Sequence, residues 1–264
     1  MTKWKSIAVS ALLLLGFARA APAELSIQLG AEYFRWEEFN GGGSRLLEES
    51  GPRIRVGADW RIPFGAEHQY LLQAQGSVYG GRVEYDGQAC TVSTPSVCNP
   101  FMSDTDYLGA TAEATVARRF GADPGLEVFA GGGVDSWRRK IQGDGSVQGA
   151  IEDWATIYLV AGGGAYWTNS SSRLHARAGV KYPAYTEELP DLYDVTLNPK
   201  GRASFFARFS TDFLSGGQPY WGFGVYYDSY RWDESDRERT GSVLVWQPES
   251  RQDLIGLYGT YYFR

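Results

Sequence analysis

The chain has 264 residues, a formal charge of −6, 33 glycines and 15% aromatic residues. No apolar run approaches the ~20 residues that a spanning helix needs, so a helical membrane protein is excluded. The acidic balance, with no basic run, gives nucleic acid no footing. The length fits one domain rather than several.

Lys3 and Lys5 precede the apolar stretch Ile7–Phe17, and small residues follow at Ala18-Arg19-Ala20 and Ala21-Pro22-Ala23. This is the layout of a secretory signal, expected to occupy residues 1–23 and to be cleaved. Its removal takes away three cations and no acid, which moves the formal charge from −6 to −9. Residues 24–264 are expected to form the single mature domain.

From residue 24 the chain alternates apolar and polar side chains in about ten stretches. On the first, Leu25, Ile27, Leu29, Ala31 and Tyr33 share one side, and Ser26, Gln28, Gly30 and Glu32 the other. On the second, Ile54, Val56, Ala58, Trp60, Ile62 and Phe64 oppose Arg53, Arg55, Gly57, Asp59 and Arg61. Side chains of a strand point alternately to opposite faces, so each stretch is a strand with one greasy and one polar face. Stretches three to six follow the same rule with more Ala and Gly. The seventh sets Leu174, Ala176, Ala178, Val180 and Tyr182 against Arg173, His175, Arg177 and Lys181. The eighth sets Ala203, Phe205, Ala207 and Phe209 against Arg202, Ser204, Arg208 and Asp212. The ninth sets Trp221, Phe223, Val225 and Tyr227 against Gly222, Gly224, Tyr226 and Asp228.

The links alternate in length. Long ones span Asn40–Ser50, Asp86–Ser103, Gln142–Glu152, Ala184–Lys200 and Trp232–Arg251, and short ones Gly65–Gln69, Gly121–Gly125, Thr168–Ser172 and Leu214–Gln218. Transmembrane β-barrels have tight periplasmic turns and long outer loops. The expected fold is therefore all-β, a single antiparallel up-and-down transmembrane β-barrel of ten strands, with eight and twelve as alternatives. The final residues, Leu257-Tyr258-Gly259-Thr260-Tyr261-Tyr262-Phe263-Arg264, resemble the closing strand of bacterial outer-membrane barrels, which ends in an aromatic residue. Here the aromatic stands one residue short of the end. The resemblance implies the bacterial outer membrane and handling by the barrel assembly machinery.

Direction then sorts the charges. Arg53, Arg55, Asp59, Arg61, Arg173, Arg177, Arg202, Arg208 and Asp212 are expected in the lumen, with a cationic excess overall. A barrel of about eight strands is just filled by side chains, so ten strands suggest a salt-bridged plug, with a narrow anion-favouring pore as the alternative. Extending the lipid-facing register reaches Arg35, Arg82, Arg138 and Arg231, beside Asp106, Asp153 and Asp253. Such a rim offers guanidinium groups to lipopolysaccharide phosphates, or simply snorkels and pairs at the interface. The acidic residues Glu37, Glu38, Glu48, Glu49, Glu187, Glu188, Asp233 and Glu234 fall in expected outer loops, as solvated surface. Cys90 and Cys98 are the only cysteines, close together in an exported chain, and point to a disulfide. No cofactor or metal is expected, and any extracellular partner is unnamed.

Asp104-Thr105-Asp106 resembles an acid pair of the omptin proteases, which are ten-stranded and also use a histidine near the outer rim. The Asp-x-His partner is absent, and the register points Asp104 and Asp106 outward. His68 and His175 both fall toward the periplasm, away from any outer-surface nucleophile. The sequence thus reads as a non-enzymatic outer-membrane barrel with a structural, surface-recognition or adhesion role. A narrow porin-like channel is the runner-up, and an outer-membrane enzyme the third reading.

Overall fold

The computed structural model describes residues 23–90, 97–121, 123–145, 147–241 and 243–263. Residues 1–22 of the expected leader lie outside the described residues, as does Arg264 after the closing aromatic. The chain forms β1 (Glu24–Phe39), β2 (Arg45–Phe64), β3 (Tyr70–Cys90), β4 (Cys98–Phe120), β5 (Gly125–Ile141), β6 (Ala150–Thr168), β7 (Ser172–Pro190), β8 (Lys200–Arg202), β9 (Ser204–Ser215), β10 (Gln218–Asp233), β11 (Glu238–Thr240), β12 (Val243–Val245) and β13 (Glu249–Tyr262). Neighbours pair antiparallel, β8 and β9 share one position in the wall, and β13 closes onto β1. The result is a closed ten-stranded barrel. Gln28 faces Gly57 on one side and Thr260 on the other. Closure leaves no free sheet edge, which the bilayer core demands because nothing there can bond to an open backbone.

Two-residue turns match the twist of the strands they join. Gly216 and Gly217, both at positive φ, make such a turn between β9 and β10. The lipid-facing side chains form a belt of exposed apolar residues, from Ile157 and Leu159 on β6 to Leu257 and Ile255 on β13. Its periplasmic edge carries aromatic pairs, Phe64–Tyr70 and Phe213–Trp221, with ring centroids 5.4 and 4.3 Å apart. Its outer edge carries the ion pairs Arg82–Asp106, Arg138–Asp153 and Arg231–Asp253.

Above that ring the wall continues. β2, β3 and β4 have 20, 21 and 23 residues, against the roughly 9–11 that cross a bilayer. Most of what reads in the sequence as long outer loops is paired strand. From Asp106 to Cys98 the hairpin rises roughly 25 Å beyond the ring, at ~3.3 Å per residue. The Cys90–Cys98 disulfide clips its tip, where the two residues face each other across the ladder.

One expected lumen charge is misplaced. Between Asp228↔Phe206 and Arg231↔Arg202 the pairing slips by one residue. A slip of one residue reverses every side chain beyond it. Arg202 therefore points out of the barrel, half exposed, and pairs with Asp233 and Glu249 at 3.2 and 3.4 Å. The backbone break is held by Ser229, whose Oγ accepts from the Phe205 N–H at 3.0 Å and donates to the Phe205 carbonyl at 2.8 Å.

Candidate functional site

The barrel interior and its outer mouth hold the dense polar chemistry of the described residues. In the lumen, alternation on β2 turns Arg53, Arg55, Asp59 and Arg61 inward. Glu32 from β1 accepts from Arg53 Nε at 2.9 Å, from Arg55 Nε at 2.8 Å and from the Tyr226 hydroxyl. Arg61 pairs with Asp59 at 2.8 Å. Arg173 donates to both oxygens of Glu24 at 2.9 Å and to Asp212 at 3.0 Å. Glu127 gathers Arg177 at 2.5 Å, His175 at 2.9 Å and Arg119 at 3.5 Å. Arg208 donates to Gln75 at 3.0 Å, and Lys181 pairs with Asp228 at 2.7 Å. Every one of these cations has a carboxylate or amide against it. A cavity of about 110 Å³ remains among them, bounded by Arg55, Arg177, Arg208, Tyr158 and Tyr230. That volume holds several waters.

The expected cationic excess is not what the lumen shows. Glu24, Glu38, Glu49, Glu152 and Glu188 also face inward, and Arg202 does not. Glu38, Glu49 and Glu188 are buried rather than solvated loop residues. The signal for them was present in the sequence as a continued alternation. Phe34, Trp36 and Glu38 keep the inward parity of Glu32, while Arg35 and Glu37 keep the outward one.

The mouth is closed by aromatic side chains. Trp36, Trp137, Trp154 and Trp232 are 0–4% exposed. Trp36 lies 5.2 Å from Trp154 and 5.4 Å from Trp232, Trp137 stacks on Trp154 at 5.3 Å, and Trp232 stacks on Tyr230 at 5.3 Å. Around them Arg139 reaches Glu38 at 2.9 Å, Glu152 at 3.0 Å and Glu49 at 3.1 Å. Glu49 also accepts from Thr105 Oγ1 at 2.8 Å and from the Tyr107 hydroxyl. These groups stand at or above the ion-pair ring, beyond the lipid belt. Burial pushes the Glu152 carboxyl up to about 7, with Glu38 and Glu49 adding repulsion. Burial likewise pushes Glu188 well above the ordinary carboxylate range.

Four rim arginines face outward. Arg82, Arg138 and Arg231 each pair with the aspartate opposite at 2.6–2.7 Å. Arg35 lies across from Asp253 in register but bonds Glu37 at 2.9 Å and Glu48 at 3.0 Å. Asp104 is exposed on the outer wall, and Asp106 faces out to Arg82. His68 sits in the short 3₁₀ turn Ala66–His68 and His175 in the periplasmic half of the lumen.

No protein-family profile matches this chain, and no curated protein sequence does. Solved structures do. The outer membrane protease OmpT from Escherichia coli aligns with a TM-score of 0.52 at 11% identity, over 94% of this chain and 99% of that one. The transport unit of the autotransporter AIDA-I from Escherichia coli aligns at 0.47 and 11%, over 96% and 94%. Ail, the attachment invasion locus protein of Yersinia pestis, aligns at 0.35 and 12%, over 92% and 100%. The closed wall and the OmpT likeness define an outer-membrane β-barrel, and that is the class of this chain. The fold supports an outer-membrane location.

Proposed function

We propose that this protein is a plugged, non-catalytic outer-membrane barrel that acts by surface recognition or adhesion, through the wall and tips that rise above the membrane. The observation that carries this reading is the closed lumen. The tryptophan cap and the Arg139 network fill the outer mouth, and paired charges line the small cavity beneath. The non-catalytic part rests on Asp104 and Asp106 facing away from the lumen and on both histidines lying toward the periplasm. Below the mouth, where each lumen cation holds a carboxylate or amide, the buried charge network resists opening, because removing one partner strands the other.

The test is a planar bilayer. Purified protein at pH 6 is expected to insert without discrete conductance steps, and Arg55→Glu is expected to stay equally silent. Regular steps whose ion selectivity reverses in Arg55→Glu would overturn the plug in favour of the narrow channel.

The membrane partners follow from the rim and the closing strand. Each rim arginine already holds a carboxylate, so the ring meets lipopolysaccharide as an internally neutral interface. Changing Arg35, Arg82, Arg138 and Arg231 together to Gln is expected to leave co-purified lipid unchanged. A large loss of lipid would assign the ring a phosphate-binding role. Strand β13, which ends in Tyr261 and Tyr262 and is followed by Phe263, is the segment for the barrel assembly machinery to engage.

A further inference from the structure

The outer mouth holds more buried acid than its one arginine can balance. Glu38 from β1, Glu49 from β2, Glu152 from β6 and Glu188 from β7 surround Arg139 from β5. Three of the four carboxylates touch Arg139. Glu188 does not: its side chain is almost wholly buried, its Oε2 has no hydrogen-bond partner, and it forms no ion pair among the described residues. The charges that reach it are two more carboxylates, Glu152 and Glu38, and Arg139. The remaining titratable groups around the mouth are Tyr85 from β3, Tyr107 from β4 and Tyr230 from β10, and β13 brings only the uncharged Ser250 and Gln252.

We infer that the outer mouth is a proton-operated latch, in which Glu152 and Glu188 hold protons that keep the tryptophan cap closed and whose loss releases the segment that follows β7.

An uncompensated buried carboxylate is expensive enough that it takes a proton instead. Protons rather than a metal suit this cluster, since no group of described side chains has the arrangement to hold a metal ion. Glu152 is 15% exposed and gives the proton a route to outer water. Glu188 lies behind it. The part next to Glu188 is the stretch 191–199, which is anchored at its start by Asp191 and Ile151 at 2.8 Å and folds back so that Leu197 and Glu188 exchange backbone hydrogen bonds at 2.9 Å. Asn198 Nδ2 adds one bond to the Thr186 carbonyl at 3.0 Å. An ionised Glu188, itself one half of this bridge, drives it toward water. Both carboxyls are raised by burial above their ordinary 4.5. The contribution of Glu152 to the closed form is therefore complete below about pH 4.5 and is lost as pH rises through about 7, and that of Glu188 is lost as pH rises well above the ordinary carboxylate range.

Backbone hydrogen exchange of the full chain, folded in lipid vesicles and corrected for intrinsic rates, tests this. Amides over 186–199 are expected to be protected at pH 5 and to lose protection above pH 7. One proton gives about a tenfold change in the opening equilibrium per pH unit. Glu188→Gln keeps the shape without the charge and is expected to hold protection to pH 9. Glu152→Gln is expected to flatten the profile in the same direction. A wild-type profile flat from pH 5 to 9 overturns the latch, as do two folded Gln variants that both keep the wild-type profile. Should either variant not fold, the wild-type profile decides alone. Bilayer silence at pH 6 does not enter this test, so the latch and the plug can fail separately.

Discussion

At the scale of single residues, the interior is organised by charge pairs and by tyrosines laid over glycines. Tyr79 faces Gly109, Tyr158 faces Gly133, Tyr226 faces Gly256 and Tyr258 faces Gly224, each directly across a ladder. A Cβ on Gly133 would stand 2.5 Å from both the Ala112 carbonyl and the Tyr158 hydroxyl. Gly133→Ala is therefore expected to cost roughly 1–3 kcal/mol by overpacking, read as a lower urea midpoint for unfolding from lipid. Arg139→Met leaves four carboxylates with no cation. Its cost is expected to be about 3–5 kcal/mol at pH 7 and clearly smaller at pH 5, where the raised carboxyls keep their protons. Equal losses at both pH values would contradict the charge accounting of the mouth. The lumen arginines were legible in the sequence because strand parity alone assigns them. The tyrosine–glycine pairs were not, because they depend on which residue of the next strand lies opposite, and alternation within one strand carries no such register.

At the scale of elements, the wall explains both the agreement and the error. Periplasmic turns were legible because Gly65, Gly121 and the Gly216-Gly217 pair punctuate strong alternation. The upper strands were less so. Glu48-Glu49-Ser50-Gly51-Pro52 reads as a turn by composition, yet Glu49 pairs with Trp36 and the ladder runs through it. Tertiary pairing overrides local preference where a partner strand is already in place. The Arg202 reversal was hidden for a different reason: a bulge shifts the alternation by one residue, and the three residues of β8 beyond it are too few to display the new phase. Removing the Ser229 hydroxyl that clamps it is expected to cost about 1 kcal/mol in Ser229→Ala, measured by the same urea unfolding, with faster amide exchange at Phe205. Unchanged exchange there would show that the bulge holds itself.

At the scale of the molecule, the barrel below the ring and the tower above it are held differently. The lower part is confined by lipid and satisfied charges. The upper part stands in water and relies on its ladders, its aromatic cap and one disulfide. Reducing Cys90–Cys98 touches only the tip of β3 and β4, far from the belt. Reduction is expected to leave the heat-resistant folded band of the barrel on a gel unchanged while making residues near the tip more open to protease. Loss of the folded band would show that the tip supports the whole wall. Fold class, strand count and direction were legible in the sequence because every strand repeats one simple period. The mouth was not, because it brings Trp36 of β1 and Trp232 of β10 against the Trp137–Trp154 pair of the β5–β6 hairpin, parts of the chain that are far apart in sequence.

The tower has a consequence for binding. A flexible loop must be ordered when a partner lands on it, and the lost freedom is subtracted from the affinity. Here the raised wall is already laddered to its neighbours up to Asp86 on β3 and Thr105 on β4, and beyond them β3 and β4 pair with each other to the tip. Under the proposed recognition role this wall is a preorganised epitope: its shape exists before contact, and a partner would meet a fixed relief of side chains without the entropic toll of folding a loop.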